Sequence, residues 1–442
     1  MAATAVNPAD QASAPSTLRR VVAAGMIGTT IEWYDFFLYG SSAALVFNRL
    51  FFPKQEPLVG TLLAFATYAL GFLARPLGGL VFGHFGDRIG RKRLLMMSLL
   101  LMGAATVLIG CLPTYGQVGV LAPLLLVLLR LAQGFAVGGE WGGAVLIVAE
   151  HGDAARRGFW ASFPQAGVAG GSVLAAAVLA VMAGTVSDQA FLVWGWRVPF
   201  LLSAVLIAVG WWVRATVAES PAFAAIQAET EAIEKAPVLE AVRRRPGRLL
   251  IGAGLKFAEN LSFYVLTVFS ITYVTEVVGL SRRVILDAVL IGSAVQMFAI
   301  VGFGALSDRV GRRPVYAFGA FGLAAFALVF FRLLDLGTFA ATAAATTAAL
   351  VLHAAMYGPQ AAFLSEMFPT RYRYSGISIS YQATSILAGS LAPIISVALL
   401  KATHSATPVA IYVSAACVIT GVTALIARET RGRTFEEIDA EA

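Results

Sequence analysis

The chain has 442 residues, of which 58% are hydrophobic and 13% charged, and its mean hydropathy is +0.78. Soluble domains carry about 25% charged residues, so this composition excludes a soluble fold and predicts an all-α protein with many membrane spans. The net charge of +7 does not indicate nucleic-acid binding, because the basic residues stand in short segments between apolar stretches. Cys111 and Cys417 lie in apolar stretches and predict neither a disulfide nor a metal site.

Twelve apolar stretches of membrane-spanning length follow one another along the chain. They cover residues 21–45, 58–82, 94–112, 119–149, 159–183, 196–213, 249–274, 286–306, 314–332, 337–364, 376–400 and 408–427. We therefore predict a disordered tail (1–18), a six-helix bundle (19–213), an amphipathic cytoplasmic linker (214–248), a second six-helix bundle (249–427) and a C-terminal tail (428–442).

One signature occurs twice, half the chain apart, as GHFGDRIGRKR at 83–93 and GALSDRVGRRP at 304–314. Each copy stands between two apolar stretches, which predicts a duplicated protein whose two bundles are related by pseudo-symmetry. Asp87 and Asp308 stand where a span ends and a glycine-containing turn begins. Such a carboxylate can pair with the following arginine or cap the N-terminus of a neighbouring helix.

The basic residues are distributed unevenly between the two sides of this arrangement. Lys and Arg are far more numerous in the segments that share a side with the N-terminus than in the opposite segments. The positive-inside rule then places both termini, the linker and both signatures on the cytoplasmic side of the membrane.

The doubled DRxGR signature, the six-plus-six spans and the basic linker resemble the major facilitator superfamily of secondary transporters over nearly the whole chain. Four motifs are similar to its metabolite:proton symporter branch: IEWYDF (31–36), RPLGGLVFGHFGDRIGRKR (75–93), RLAQGFAVGGEWGG (130–143) and ESPAF (219–223). SSAALVFNRLFFP (41–53) is similar to bacterial shikimate transporters, whereas YGPQAAFLSEMFPTR (357–371) and ETRGRTFEEI (429–438) look like sugar porters.

The resemblance implies the major facilitator fold and proton-coupled uptake of a small organic acid by alternating access. The implied cargo is shikimate or a related hydroxylated or aromatic carboxylate. The alternatives are symport of a dicarboxylate, a tricarboxylate, betaine or proline, and proton-coupled export of aromatic acids. The expected partners are the acid, protons and the lipid bilayer, and we expect a monomer.

Three ionisable residues within the spans are candidates for proton coupling, since such residues are costly in a membrane. The resemblance to proton-coupled sugar porters implies that Asp35 on the first span pairs with Arg130 on the fourth. Breaking that pair would let the carboxylate take up a proton; the alternative is a static brace. Glu32, three residues before Asp35, is either a second proton site or a group that orients the substrate.

Polar residues at helical spacing on the seventh span predict one wall of a substrate site. Lys256 could bind an anion there, or it could be neutralised by Glu259 three residues later. The resemblance to sugar porters adds a glutamine on span 5 and an aromatic residue on span 10, where this chain has Tyr instead of Trp. The predicted substrate-binding residues are Tyr39, Gln165, Lys256, Glu259, Asn260, Tyr264, His353, Tyr357 and Gln382. His353 is also open to a role in proton coupling or in packing.

A further set of charged residues is predicted to form a cytoplasmic gate or latch between the halves. Arg75 and Glu140 are interpreted as an inner-side pair, with a contact between Arg75 and a substrate carboxylate as the alternative. Glu366 is expected to pair with Arg371 or Arg373, and Glu150 with Arg156 or Arg157. The predicted gate and latch residues are Arg75, Asp87, Arg88, Arg91, Glu140, Glu150, Asp308, Arg309, Arg312 and Glu366.

An enzyme is the rival class, and the sequence argues against it. A metalloenzyme or hydrolase needs a clustered ligand set or a nucleophile beside a base. The four histidines are scattered at 84, 151, 353 and 404. We therefore predict no catalytic residues and no cofactor.

Overall fold

The computed structural model describes residues 15–89, 91–138, 148, 153–216, 246–370 and 373–441. Within these ranges the regular elements are helices. The long helices and the C-terminal helix are α1 (Pro15–Ser42), α2 (Pro57–Ile89), α3 (Arg91–Cys111), α4 (Leu121–Val137), α5 (Arg157–Thr185), α6 (Arg197–Thr216), α7 (Pro246–Tyr264), α8 (Arg282–Val310), α9 (Arg312–Leu334), α10 (Phe339–Ser365), α11 (Arg373–Thr384), α12 (Thr407–Ile426) and α13 (Phe435–Ala440). We call α1–α6 the first half and α7–α12 the second half.

Several helices continue through a wide turn of π-helical geometry. These extensions are Ala43–Phe47 and Asn48–Leu50 after α1, Val265–Phe269, Ser270–Thr272 and Tyr273–Val277 after α7, and Ser385–Ser390 and Leu391–Thr403 after α11. The short segments Asp188–Ala190 and Phe191–Gly195 lead into α6, Ala154–Arg156 leads into α5, and Tyr115–Val118 precedes α4.

The described helices account for twelve crossings. Eight helical stretches are long and apolar enough to span a membrane, and the pair Asp188–Gly195 and Arg197–Trp212, bent by 44°, forms another. Met96–Cys111 and Leu121–Val137 are shorter apolar helices, and α1, which carries Glu32 and Asp35, completes the set. The predicted twelve-helix arrangement is confirmed, and α1 begins at Pro15, before the predicted start of its span.

The second signature folds as two helices joined at one glycine. Helix α8 ends at Val310, Gly311 has φ +117°, and α9 begins at Arg312. This backbone conformation strains residues with a Cβ, which explains the glycine at this position. Asp308 therefore lies in the last turn of α8, directly before the junction.

The two halves meet along α5 and α8. A Cβ built on Gly304 would lie 2.7 Å from the carbonyl oxygen of Gly158, so two glycines allow the helix backbones to approach closely. Further along the same seam, the hydroxyls of Ser172 and Ser293 lie 2.9 Å apart. The seam thus brings small residues of both halves together.

Parts of two predicted segments lie outside the described residues. These are most of the 214–248 linker and nearly all of the N-terminal tail. The C-terminal tail contains α13, whose Ile438 is buried.

Candidate functional site

A narrow cavity lies between the halves, near the middle of several helices. Its volume is about 10 Å³, room for about one water, so this conformation is closed around it. The lining residues are Trp33, Val168, Lys256, Glu259, Asn260, Phe263, Tyr264, Tyr357 and Tyr381. Five of the predicted substrate residues are among them. The other four are apolar or aromatic, and their sequence pattern does not separate a cavity wall from ordinary packing.

The predicted cation on α7 already has a carboxylate partner. Lys256 Nζ lies 2.5 Å from Glu259 Oε2, and the Gln360 side chain contacts both groups at 3.4 and 3.3 Å. The ammonium also lies 4.1 Å from the ring centre of Tyr381. The structure thus shows the self-neutralising alternative for Lys256 and Glu259.

His353 is fully buried and both of its ring nitrogens are engaged. Nδ1 lies 2.8 Å from the Gln296 amide nitrogen, and Nε2 lies 3.0 Å from the backbone oxygen of Glu259. His353 therefore braces α10 against α7 and α8, and it does not line the cavity.

Three side-chain amides around the site have unused hydrogen-bonding capacity. Gln165 on α5 is fully buried and neither of its amide atoms has a partner. Asn260 Oδ1, on the cavity wall, also has no hydrogen-bond partner among the described residues. Gln382 donates to the Gly138 carbonyl at 3.4 Å, but its oxygen has no partner. A polar ligand would satisfy such groups, which are costly when left unpaired.

The predicted ion pair between Asp35 and Arg130 is not formed in this structure. Asp35 is buried and accepts a hydrogen bond of 2.6 Å from the Ser203 hydroxyl of α6. Thr106 of α3 lies beside the same carboxylate. The Gln133 amide nitrogen donates to the Thr106 hydroxyl at 2.7 Å, and its oxygen accepts from Arg130 at 3.1 Å. One glutamine thus stands between the two predicted partners.

Arg130 points instead into a cluster of aromatic rings. Its guanidinium carbon lies 4.6 Å from the ring centre of Phe36, 4.4 Å from Tyr39 and 4.5 Å from Tyr68. It also donates to the Tyr68 backbone oxygen at 3.4 Å. Tyr39, predicted to bind substrate, forms this cage and hydrogen-bonds Thr67 at 2.7 Å.

Arg75 joins the same aromatic cluster from α2. Its guanidinium carbon lies 4.6 Å from the ring centre of Phe36, 4.3 Å from Phe72 and 6.0 Å from Trp33. Glu140, its predicted partner, lies outside the described residues. Arg75 is 3% exposed and therefore belongs to the buried interior rather than to a surface loop.

Glycines allow Arg130 to lie against α2. A Cβ on Gly71 would stand 2.6 Å from Arg130 Nε, and one on Gly134 would stand 1.9 Å from the Gly71 oxygen. Helices α2 and α4 can therefore touch only because both positions lack a side chain. This contact determines the direction of the Arg130 side chain.

The second signature ties the halves together at one end of the bundle. The Asp308 carboxylate accepts hydrogen bonds of 2.8 Å from the backbone N–H groups of both Gly158 and Phe159 at the start of α5. It also pairs with Arg312 at 2.6 Å. The carboxylate thus caps the N-terminus of α5, and its arginine partner is Arg312 rather than the directly following Arg309. Arg309 is exposed and takes no part in these contacts.

Glu366 lies at the centre of the same end. It pairs with Arg157 at 3.0 Å and with Arg312 at 3.1 Å, and it accepts a 2.6 Å hydrogen bond from Thr430. Of the two expected partners, Arg373 does not pair with Glu366, and its guanidinium stacks on the Phe435 ring of α13 at 3.6 Å. The other, Arg371, lies outside the described residues.

Several predicted latch residues cannot be placed as side chains. Glu150, like Glu140 and Arg371, is outside the described residues. Asp87 and Arg88 lie in α2 and Arg91 begins α3, but their side chains are not described. Glu32 is buried on α1.

Three ion pairs join the halves at the opposite end of the bundle. Arg49 lies 3.2 Å from Glu276, Lys401 lies 2.7 Å from Glu56, and Arg282 contacts Asp188. The halves are therefore in contact on both sides of the cavity, which is an occluded arrangement.

A family model and curated relatives of known name both match this chain over most of its length. Residues 25–393 and 257–440 match the model of the Major Facilitator Superfamily. The chain is 42% identical over 422 residues to the shikimate transporter of Escherichia coli K12, covering 94% of this chain and 96% of that protein. It is 34% identical over 430 residues to the proline/betaine transporter of Salmonella typhimurium, covering 95% and 85%.

Solved structures agree at the level of fold. The inward-open xylose transporter of E. coli matches with a TM-score of 0.75 at 19% identity, covering 96% of this chain and 99% of that one. The family match, the relatives and the twelve-helix fold lead to one assignment: this chain belongs to the major facilitator superfamily.

Proposed function

We propose that this chain is a proton-coupled symporter of the bacterial inner membrane that takes up a small organic acid. Shikimate, or a related hydroxylated or aromatic carboxylate, is the first candidate. The support for this cargo is the 42% identity, over nearly the full length of both chains, to a protein named as a shikimate transporter.

The observation that carries proton coupling is the environment of Asp35. This carboxylate is 4% exposed inside a membrane-spanning helix, and its described partners are hydroxyl groups rather than a cation. Ionisable groups in a membrane interior are energetically costly and are therefore candidates for a functional role. With no cation in contact, the charge of Asp35 can be cancelled by a proton. Gln133 and Thr106 connect the same region to Arg130.

Transport would proceed by rocking residues 19–213 against 249–427 around the cavity, within one monomer. The Arg157–Glu366 end would face the cytoplasm, in agreement with the distribution of basic residues. Opening that end breaks the contacts of Asp308 and Glu366, and opening the other end breaks the Arg49, Lys401 and Arg282 ion pairs. The cavity would then meet one side of the membrane at a time.

The aromatic cluster argues against betaine as the principal cargo. A quaternary ammonium binds to the faces of aromatic rings. Here the rings of Phe36, Phe72 and Tyr68 already face Arg75 and Arg130, and Tyr381 faces Lys256. A second cation would be repelled from the same faces. These cations favour an anionic cargo.

Uptake by reconstituted protein tests this proposal. Proteoliposomes receive labelled shikimate with and without an inward proton gradient, beside proline, betaine, malate and citrate. We expect gradient-driven accumulation of shikimate. Asp35→Asn should lose accumulation and retain exchange of labelled for unlabelled substrate. Asp287→Asn, at a half-buried carboxylate of α8 that pairs with Arg283, is the control.

Two results would contradict the proposal. Gradient-driven accumulation by Asp35→Asn equal to the wild type would remove Asp35 from proton coupling. Accumulation of proline or betaine in place of shikimate would assign the chain to the other cargo class.

A further inference from the structure

Three buried hydrogen-bond donors without acceptors meet around the Phe36 ring. They are Arg75 Nε, Arg130 Nη2 and the Tyr68 hydroxyl, and their residues are 3%, 1% and 0% exposed. A buried polar group left unpaired destabilises a protein, and a charged one more so. Three such donors at one place indicate an acceptor that the described residues do not supply.

Two of the nearby described carboxylates have other partners. Asp35 accepts from Ser203, and Glu259 pairs with Lys256. Within the described part of the chain, neither Arg75 nor Arg130 is within ion-pair distance of a carboxylate. Their described contacts are aromatic rings, backbone and the Gln133 amide.

The donors lie directly behind the cavity wall, on the side of the first half. Trp33 lines the cavity and its ring centre is 6.0 Å from the Arg75 guanidinium. Tyr264 lines it too, with its ring centre 6.0 Å from that of Tyr68 and 5.7 Å from that of Phe72. The Trp33 and Tyr264 rings therefore stand between the cavity and the donors Arg75 and Tyr68, and Arg130 lies against the far side of the Tyr68 ring.

The opposite wall offers a different chemistry. There α7 presents Asn260 and the neutralised pair Lys256–Glu259. Paired charges and amides suit hydroxyl groups, because they offer both donors and acceptors without a net charge. The two walls therefore differ in net charge.

From this asymmetry we infer that Arg75, Arg130 and Tyr68 form the carboxylate subsite of the transporter, and that the α7 wall receives the uncharged end of the ligand. The inference rests on the proposed uptake of an organic acid. A carboxylate has two oxygens in one plane and accepts from guanidinium groups in matching geometry. The occluded cavity holds about one water, so the acid enters after the halves separate and the Trp33 and Tyr264 rings part.

This inference moves the anion-binding role from Lys256 to the first half. It also assigns Arg75 to substrate binding, whereas the main expectation from the sequence was that Arg75 forms part of a gate on the cytoplasmic side. The ligand class is a monocarboxylate whose remaining surface is flat or hydroxylated, because the walls between the two ends are aromatic.

Comparing the binding of an acid with that of its ester tests recognition of the carboxylate separately from recognition of the rest of the ligand. Calorimetry on the purified full-length chain, without a proton gradient, compares shikimate with methyl shikimate. The wild type should prefer the acid. Arg75→Gln, Arg130→Gln and Tyr68→Phe should each weaken shikimate binding by about tenfold or more and leave the ester unchanged. Arg283→Gln, at a 62% exposed arginine side chain of α8, is the matched control.

Tyr68→Phe is the variant expected to fold normally, so it separates a loss of binding from a loss of folding. The Tyr68 hydroxyl makes no hydrogen bond of standard geometry within the described residues, so thermal unfolding should stay close to that of the wild type while shikimate binding falls. Unchanged shikimate binding in Tyr68→Phe and Arg75→Gln would overturn the inference. Equal loss of acid and ester would also overturn it, because that pattern describes a general packing defect.

The outcomes distinguish this inference from the function on which it rests. A wild type that accumulates shikimate but binds acid and ester equally refutes the subsite and leaves the proposed function intact. A wild type that neither binds nor accumulates any acid of the panel refutes both.

Discussion

Arg157 and Glu366 are 209 positions apart in the chain, yet their side chains form a buried ion pair of 3.0 Å. Arg157 begins α5 in the first half, and Glu366 follows α10 in the second. Arg312 shares the same carboxylate at 3.1 Å. One carboxylate thus contacts two buried guanidiniums at the boundary between the halves, and Asp308 is a second partner of Arg312.

Glu366→Gln should destabilise the protein strongly. The amide keeps the size of the side chain, but it leaves Arg157 and Arg312 buried without that counter-ion. Removing one partner of a buried pair costs about 3–5 kcal/mol. Thermal unfolding in detergent checks this. Glu441→Gln is the control, because its carboxylate is 41% exposed and the loss of an exposed ion pair changes stability little. Equal melting temperatures for both variants would contradict the prediction.

Gly134→Ala should separate α4 from α2. The new methyl would lie 1.9 Å from the Gly71 oxygen, so the helix must move, and overpacking of this kind costs about 1–3 kcal/mol. Because Arg130 lies one turn away, shikimate binding should fall as well. Gly302→Ala on α8 has open space around its Cβ and should be neutral or stabilising, since alanine favours helix by about 1 kcal/mol. Unfolding and calorimetry report both effects, and equal behaviour of the two variants would contradict the argument.

The helix order was predictable because membrane spans are a local signal. Twenty apolar residues in sequence suffice for a crossing, so twelve stretches gave twelve helices. The cavity face of α7 was also predictable, since Lys256, Glu259, Asn260 and Tyr264 recur with helical spacing. All four line the cavity.

Pairings between helices were not predictable from the same signals. The resemblance implied a direct contact of Asp35 with Arg130, but the approach of Gly134 to Gly71 turns Arg130 towards the rings of α1 and α2. Which way a side chain points depends on the rotation of each helix in the bundle. The sequence shows spacing within a helix but not that rotation. Tyr68 was missed for this reason.

The partner of Glu366 was missed for a related reason. Arginines a few positions later in the sequence were the expected partners, because short-range pairs are the ones a sequence displays. Arg157 reaches Glu366 only because α5 and α8 pack through Gly158 and Gly304. Such a contact is a property of the assembled halves.

Glu429 gives a pH dependence of stability. Burial alone raises the pKa of this carboxyl, but backbone N–H groups of Arg312, Arg313, Thr430 and Arg431 hydrogen-bond it, and the net pKa is below the ordinary 4.5. The unfolded chain therefore binds the proton more readily. The stabilisation is fully present above pH 4.5 and is lost as the pH falls towards the lowered pKa.

The melting temperatures of the wild type and of Glu429→Ala, measured from pH 7 down to pH 3.5, check this sign. The difference between the two proteins should stay constant down to about pH 4.5 and then shrink. A difference that grows on acidification would show that the carboxylate does not cap α9 in solution.

The ion pair of Arg49 with Glu276 should help to close the end opposite Glu366. Arg49→Glu places two carboxylates where the structure has an attraction at 3.2 Å. Both partners are partly exposed, so the pair contributes about 1 kcal/mol or less, and we expect shikimate uptake to slow by roughly two- to fivefold. The effect should weaken at high salt, because exposed charges are screened. The exchanged pair, Arg49→Glu with Glu276→Arg, should restore the rate, which a double-mutant cycle of initial uptake measures. If the exchanged pair is as slow as the single variant, the pair does not close this end.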